Sequence, residues 1–253
     1  MTGPVPTALE EAVRICEAAA GERITVRLAG GLAIQYLTPE FPPRGGDRQD
    51  LDLATLSSDR RPLTRFLAER GYVGDKNFNA LYGHKQLYFQ SAETGRSLDV
   101  LVDRLHMCHT VEFKDRLRRM PVTLDLADLL LTKLQIVELN EKDAQDVLYL
   151  CSAYPVADGD EPGTIGIGRI RPIVGNDWGW WRTVSMNLDR ITALASGDGR
   201  GLVPAGGKHD AVGQLGALRE AVETAPKSLR WKARARVGDR VRWYEMPEET
   251  PHH

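Results

Sequence analysis

The sequence predicts a mixed α/β fold, in which a small, twisted mixed sheet is flanked by helices and followed by a helical region with a C-terminal β-hairpin. Two observations predict this class. Strand-like runs alternate with amphipathic helical patterns up to residue 103, and apolar residues then recur at helical spacing from Leu124 onward. We expect one domain at residues 1–155 and a second region at 164–253, separated by the Pro- and Gly-containing stretch 156–163.

The first domain is expected to begin with an amphipathic helix at residues 7–20, because Thr7 and Glu10 have the spacing of a capping box. A proline-rich loop is expected at 38–49, where prolines and glycines cluster. The remaining elements follow in the order strand 24–29, helix 31–37, strand 50–55, helix 60–70, strand 81–90 and strand 97–103.

The rest of the chain is predicted to be mainly helical, with helices at 124–139, 141–153, 177–195 and 209–224. Basic and apolar residues then alternate from Arg230 to Tyr244, with Gly238-Asp239 between the two halves. This alternation predicts a β-hairpin with one basic face.

Composition excludes several classes of protein. The chain has 253 residues with 33 basic and 35 acidic side chains, so its net charge indicates no particular partner. Its three scattered cysteines do not form a disulfide framework, which is typical of a reducing compartment. No apolar stretch approaches the ~20 residues that span a bilayer, and the N-terminus lacks a signal-peptide pattern. We expect a cytoplasmic protein without a membrane partner.

The most informative stretch is Asp50-Leu51-Asp52-Leu53. Successive side chains of a strand point to opposite faces, so Asp50 and Asp52 share one face and lie roughly 7 Å apart along the chain. Two like charges on one face cost stability unless something positive lies beside them. The spacing therefore predicts a site for a hard divalent cation.

Two further motifs accompany this pair of carboxylates. Upstream, an apolar run ends in Gly30-Gly31 before a predicted helix, and such a turn lets backbone N–H groups approach a phosphate. Downstream, Asp99 lies in the predicted strand 97–103, and Asp103 on the same face is expected to be structural.

Together, these motifs resemble those of the nucleotidyltransferase superfamily with the DNA polymerase β-like fold, which has a Gly-Gly turn, an Asp-x-Asp strand and a third acidic residue on a later strand. Lys133 and the helix that carries Asp143 and Asp146 are similar to those of its toxin-like branch, found in abortive-infection and toxin–antitoxin systems. The chain departs from the family pattern in one respect, because residues 32–49 separate Gly31 from Asp50 and make this spacing unusually long.

The resemblance implies Mg-dependent transfer of an NMP group from an NTP, such as ATP, to an acceptor hydroxyl. It implies that two Mg²⁺ ions stabilise the attacking and leaving oxygens and are held by three catalytic carboxylates, those of Asp50, Asp52 and Asp99. It also implies that Asp143 and Asp146 position Lys133. The implied nucleotide-binding residues are Gly30, Gly31, Arg48 and Lys133.

The sequence leaves several classes of acceptor open. RNA, such as the 3′ end of tRNA, would imply a toxin-like enzyme with a cognate antitoxin. The alternatives are a small molecule such as an antibiotic, a protein hydroxyl, or a non-catalytic module that binds a nucleotide or a partner. The basic hairpin bears on this choice, because its cations are typical of phosphate-backbone contacts and also of a charged sheet edge. Its candidate nucleic-acid contacts are Arg230, Lys232, Arg234 and Arg236.

Overall fold

The computed structural model describes residues 6–43, 50–197 and 201–246, which pack into two compact units. The first unit comprises Met1–Leu105 and Glu112–Asp125, and the second comprises His106–Val111 and Leu126–His253. This division differs from the predicted boundary at residue 155, because the two helices that follow residue 125 pack on later helices.

The first unit is built around a five-stranded mixed sheet, which confirms the predicted α/β class. The strand order is β1-β2-β5-β4-β3, with β2 and β5 parallel and the other neighbours antiparallel. The elements, in chain order, are α1 (Ala8–Gly21), β1 (Val26–Leu28), α2 (Gly30–Leu37), β2 (Leu51–Thr55), α3 (Arg60–Ala68), β3 (Tyr72–Gly74), α4 (Lys76–Tyr82), β4 (Gln86–Ser91) and β5 (Ser97–Val102).

Most of these elements agree with their predicted positions. Thr7 and Glu10 form the expected capping box at the start of α1. The predicted strand 81–90 is wrong in its first half, because Asp75 accepts a hydrogen bond of 2.8 Å from the backbone N–H of Phe78 and so caps the short helix α4. The structure also adds β3, which at three residues is too short to show a pattern.

The second unit is mainly helical. The short strands β6 (Arg104–His106) and β7 (Thr110–Glu112) form a separate two-stranded sheet. The following elements are α5 (Leu126–Leu134), α6 (Glu141–Ala153), β8 (Val156–Ala157), β9 (Ile165–Gly166), α7 (Ile167–Asn176), α8 (Trp178–Ser196), α9 (Ala211–Thr224), α10 (Leu229–Ala235) and a 3₁₀ helix (Gly238–Arg240).

Two predictions about the middle of the chain are corrected by specific hydrogen bonds. The predicted helix 124–139 ends early, because the side-chain amide of Asn187 donates to the carbonyl oxygens of Leu134 (2.9 Å) and Ile136 (2.7 Å). The predicted linker 156–163 begins with β8, which pairs in parallel with β9. The helix at 141–153 is confirmed as α6.

The predicted C-terminal β-hairpin is wrong, because its first half is the helix α10. Ser228 accepts a hydrogen bond of 3.2 Å from the backbone N–H of Trp231 and so acts as the N-cap. Lys, Arg and Ala are strong helix formers, and here their propensity outweighs the alternating pattern. Ala233 and Val237, which would lie on the buried face of a hairpin, are exposed.

Among the described residues, no helix is both long and apolar enough to span a bilayer.

The cap of α10 provides a test of this correction. Replacing Ser228 with Ala removes the acceptor for the Trp231 N–H and should lower the free energy of unfolding by about 1 kcal/mol. Urea unfolding followed by tryptophan fluorescence measures this change. An unchanged unfolding midpoint would contradict the helix, because the Ser228 side chain would not act as an N-cap if this segment were a hairpin.

Candidate active site

The register of the central sheet places Asp52 and Asp99 side by side. Strands β2 and β5 pair in parallel, and Asp52 is the direct partner of Asp99. Both side chains are half-buried, whereas Leu51, Leu53, Leu98 and Val100 on the other face are buried in the core. Because neighbouring strands are only about 4.8 Å apart, the two carboxylates share one small region of the sheet.

Gly30 lies directly against the Asp52 carboxylate. Its φ of +59° belongs to the left-handed region, and a Cβ on Gly30 would lie 2.1 Å from Asp52 Oδ2. The backbone N–H of Ala29 also donates to the Asp52 carbonyl at 2.8 Å. The Gly-Gly turn and the Asp-x-Asp strand are therefore in direct contact, and the positive N-terminal end of α2 adjoins the Asp52 carboxylate.

Strand β4 adds two polar side chains that are absent from the residues predicted by the sequence. Gln86 Nε2 donates to Asp99 Oδ1 at 2.6 Å and fixes the orientation of this carboxylate. Tyr88 is the register partner of Asp99 in β4, and its hydroxyl lies 3.0 Å from Ser97 Oγ. The alternation of polar and apolar residues along β4 indicates that Gln86 and Tyr88 share one face of the sheet. Only the strand register shows that this face places them beside Asp99 of β5.

The other acidic residues of this unit have different positions. Asp50 is exposed and precedes the first residue of β2. Asp103 follows β5 with a φ of +63°, and its Oδ1 accepts a hydrogen bond of 2.9 Å from the backbone N–H of Ser57. This contact agrees with a structural role for Asp103. Arg48 lies outside the described residues.

The donor chemistry of this region suits a hard cation. Carboxylate oxygens are the ligands that Mg²⁺ prefers, and Asp52 and Asp99 present them from adjacent strands. The described part of the chain contains no group of three His, Cys, Asp or Glu side chains gathered closely enough to hold a metal ion. The structure thus brings two of the three predicted metal ligands together as register partners, and the participation of Asp50 stays a prediction.

A second charged group, formed by Lys133, Asp143 and Asp146, lies within the second unit. Lys133 Nζ is 2.8 Å from Asp143 Oδ1 and 2.9 Å from Asp146 Oδ2. Burial alone would lower the pKa of Lys133, but the charges and hydrogen bonds of Asp146 and Asp143 outweigh it and raise this pKa. The two carboxylates therefore hold Lys133 in one position and in its charged form.

No protein-family model matches this chain, and no curated protein matches it significantly. Among solved structures, it is similar to an antigenic nucleotidyltransferase-like protein from Paracoccidioides brasiliensis, with 13% identity, a TM-score of 0.41 and coverage of 87% of this chain and 94% of that one.

Two other solved structures have weaker similarity. One is a STING-associated CdnE c-di-GMP synthase from Capnocytophaga granulosa, with 14% identity, a TM-score of 0.27, and coverage of 89% of this chain and 84% of that one. The other is a tRNA-processing enzyme, with 11% identity, a TM-score of 0.28, and coverage of 88% of this chain and 59% of that one. Similarity at these levels does not establish a shared activity.

The contact between Gly30 and Asp52 can be tested by substitution. Replacing Gly30 with Ala puts a Cβ into space that the Asp52 carboxylate occupies and forces a left-handed conformation on Ala, which alone costs roughly 1–2 kcal/mol. We expect a lower free energy of unfolding, measured in urea. Gly21→Ala is the matched control, because nothing lies within 4 Å of its added Cβ. Equal midpoints for Gly30→Ala and the wild type would contradict the described contact.

Proposed function

We propose that this protein transfers a nucleotidyl group from an NTP to the hydroxyl of an acceptor. The observation that supports the proposal is the pairing of Asp52 with Asp99 across β2 and β5, directly beside the Gly30 turn. Two carboxylates that adjoin a helix N-terminus combine a cation site with a phosphate site. Phosphoryl transfer requires this combination, because its transition state spreads negative charge over the phosphate oxygens.

The proposed reaction is an in-line displacement at the α-phosphorus of the NTP. The acceptor oxygen forms a new bond to this phosphorus, the bond to the bridging oxygen of the β-phosphate breaks, and pyrophosphate leaves. The proton of the acceptor hydroxyl passes to a base. Bound Mg²⁺ would supply electrostatic stabilisation of the attacking and leaving oxygens.

The residues around the paired carboxylates have the following proposed roles. Asp52 and Asp99 would hold Mg²⁺, with Asp50 as an additional ligand from the start of β2. The side-chain amide of Gln86 donates a hydrogen bond to Asp99 Oδ1 and so orients the Asp99 carboxylate. This carboxylate would accept the proton of the attacking hydroxyl. The backbone of Gly30 and Gly31 would bind phosphate oxygens.

Lys133 stays a proposed ligand of the triphosphate. Its ion pairs with Asp143 and Asp146 support the predicted positioning role of these two residues. They also support a structural interpretation, because a buried lysine needs carboxylate partners wherever it lies.

For the acceptor we propose RNA, with the 3′ end of tRNA as the first candidate and a cognate antitoxin as an expected partner. The supporting feature is the density of cations in the C-terminal segment, where six basic residues fall within thirteen positions. Helical structure in this segment leaves the charge unchanged, and most of these side chains are exposed. Neutralising several backbone phosphates needs such a surface, whereas a small-molecule acceptor does not.

The activity is tested by incubating the protein and Mg²⁺ with each labelled NTP and with total RNA, protein or antibiotics in turn. We expect label to enter RNA. Asp52→Asn and Asp99→Asn should each lower the rate by more than about a hundredfold, because groups that stabilise transition-state charge contribute on this scale.

Glu93→Gln is the matched control, since Glu93 is an exposed carboxyl of the same unit outside the site. Labelling of a small molecule or a protein instead of RNA would overturn the proposed acceptor alone. Calorimetric binding of an NTP with no transfer to any acceptor would overturn the activity and favour a non-catalytic nucleotide-binding module.

A further inference from the structure

The second unit contains a cavity that the proposed transfer does not use. Its volume is 460 Å³, which lies within the range of about 300–1,000 Å³ typical of ligand pockets. It is bordered by the start of α8 and by residues of and after α10. The side chains that characterise this aromatic–arginine pocket are Trp178, Trp243, Tyr244, Arg230, Arg234 and Arg242.

The arginines give the pocket unbalanced positive charge. Arg234 is already engaged, because its guanidinium donates to the carbonyl oxygens of Gly238 (2.8 Å) and Val241 (2.7 Å). Arg230 and Arg242 are exposed, and within the described ranges neither has a hydrogen-bond or ion-pair partner. The Arg242 guanidinium lies over the Tyr244 ring, 5.8 Å from its centroid. Two guanidinium groups without a carboxylate partner at the edge of one cavity favour an anionic ligand, and their planar forks match phosphate oxygens.

The two carboxylates that also line the pocket are committed to other groups. Asp177 Oδ1 caps α8 by accepting a hydrogen bond of 3.1 Å from the backbone N–H of Trp180. Glu245 Oε2 lies 2.7 Å from His106 Nε2. Neither contact involves an arginine, so the guanidinium groups stay available to a ligand.

Aromatic rings form the other part of the pocket. Trp178 is buried, and its ring meets that of Trp243 edge to face at 6.0 Å. Trp243 and Tyr244 are only partly buried, so their rings keep accessible surface. Partly exposed aromatic rings beside arginines are suited to stacking with a planar base.

The ring of Trp243 is held in place by a buried hydrogen-bond chain. Its Nε1 donates to Thr183 Oγ1 at 3.0 Å, and Thr183 Oγ1 lies 2.8 Å from His109 Nε2. Burial lowers the pKa of His109 to about 4, so the ring is neutral near pH 7 and can accept the Thr183 proton. A ring fixed in this way loses little conformational freedom when a ligand binds.

We propose that the aromatic–arginine pocket binds a nucleoside monophosphate unit, with the base against Trp243 and Tyr244 and the phosphate on Arg230 and Arg242. An acidic peptide would satisfy the arginines but not the rings, and an apolar ligand would leave the guanidinium groups unused. The same chemistry occurs in a free nucleotide and at the end of a single-stranded nucleic acid. The proposal does not rest on the transfer activity, because binding is measured without turnover.

The five tryptophans of the chain all lie between residues 178 and 243, so their fluorescence reports on this unit. The titration uses the full chain in EDTA, with AMP, adenosine, inorganic phosphate and a 5′-phosphorylated single-stranded oligoadenylate as probes. We expect AMP and the oligonucleotide to change the fluorescence, and adenosine or phosphate alone to bind at least roughly tenfold more weakly. If the oligonucleotide binds more tightly than AMP, the natural ligand is the end of a nucleic-acid strand. If the two bind equally tightly, the natural ligand is a free nucleotide.

Variants locate the binding in the pocket. Arg242→Gln should weaken AMP binding by roughly tenfold through the loss of a charged hydrogen bond, whereas Arg190→Gln, a change at an exposed arginine of α8 outside the pocket, should not. Tyr244→Ala should weaken binding and Tyr244→Phe should keep it, since the ring is retained. Asp52→Asn should bind AMP like the wild type. The proposal is overturned if neither AMP nor the oligonucleotide binds, or if Arg242→Gln and Arg190→Gln bind AMP equally well.

Discussion

The first unit depends on one electrostatic constraint, which is the placement of two carboxylates side by side in adjacent parallel strands. Two like charges at the separation of neighbouring strands repel each other, and half-burial increases the cost. The sheet tolerates this arrangement with the Gln86 amide on Asp99 and the N-terminal end of α2 beside Asp52. Gly30 is required at that point because any larger residue would displace the Asp52 carboxylate. The local structure is thus arranged around negative charge that a divalent cation would neutralise.

The second unit shows how buried charge and aromatic packing can be combined in a helical region. Lys133 is compensated by two carboxylates of α6, and replacing one partner alone would leave an uncompensated buried charge. Near the C-terminus, arginines lie over aromatic rings, as Arg234 does over Trp178 at 4.8 Å. Structural arginines and accessible ones are therefore neighbours in one segment, and their burial and hydrogen bonds distinguish them.

Local signals in the sequence predict much of the fold and less of the site. The capping box at Thr7 determines a helix start from a few neighbouring residues, and it is confirmed. The start of α6 is likewise local, because Asn140 accepts a hydrogen bond of 2.9 Å from the backbone N–H of Asp143. The C-terminal alternation is ambiguous by contrast, because helix propensity and the Ser228 cap compete with a strand pattern in a seven-residue segment. Gln86 becomes part of the site only through strand register, which is a long-range property that no local pattern contains.

The central claim is that Asp52 and Asp99 form a site for a divalent cation and a nucleotide. The most direct test is a crystal structure of the full chain with Mn²⁺ and a non-hydrolysable NTP, in which anomalous scattering locates the metal. The account predicts an anomalous peak in coordination contact with the carboxylates of both residues, and triphosphate oxygens beside the Gly30 turn. A metal bound elsewhere, or a nucleotide bound with no metal at these two carboxylates, would contradict it.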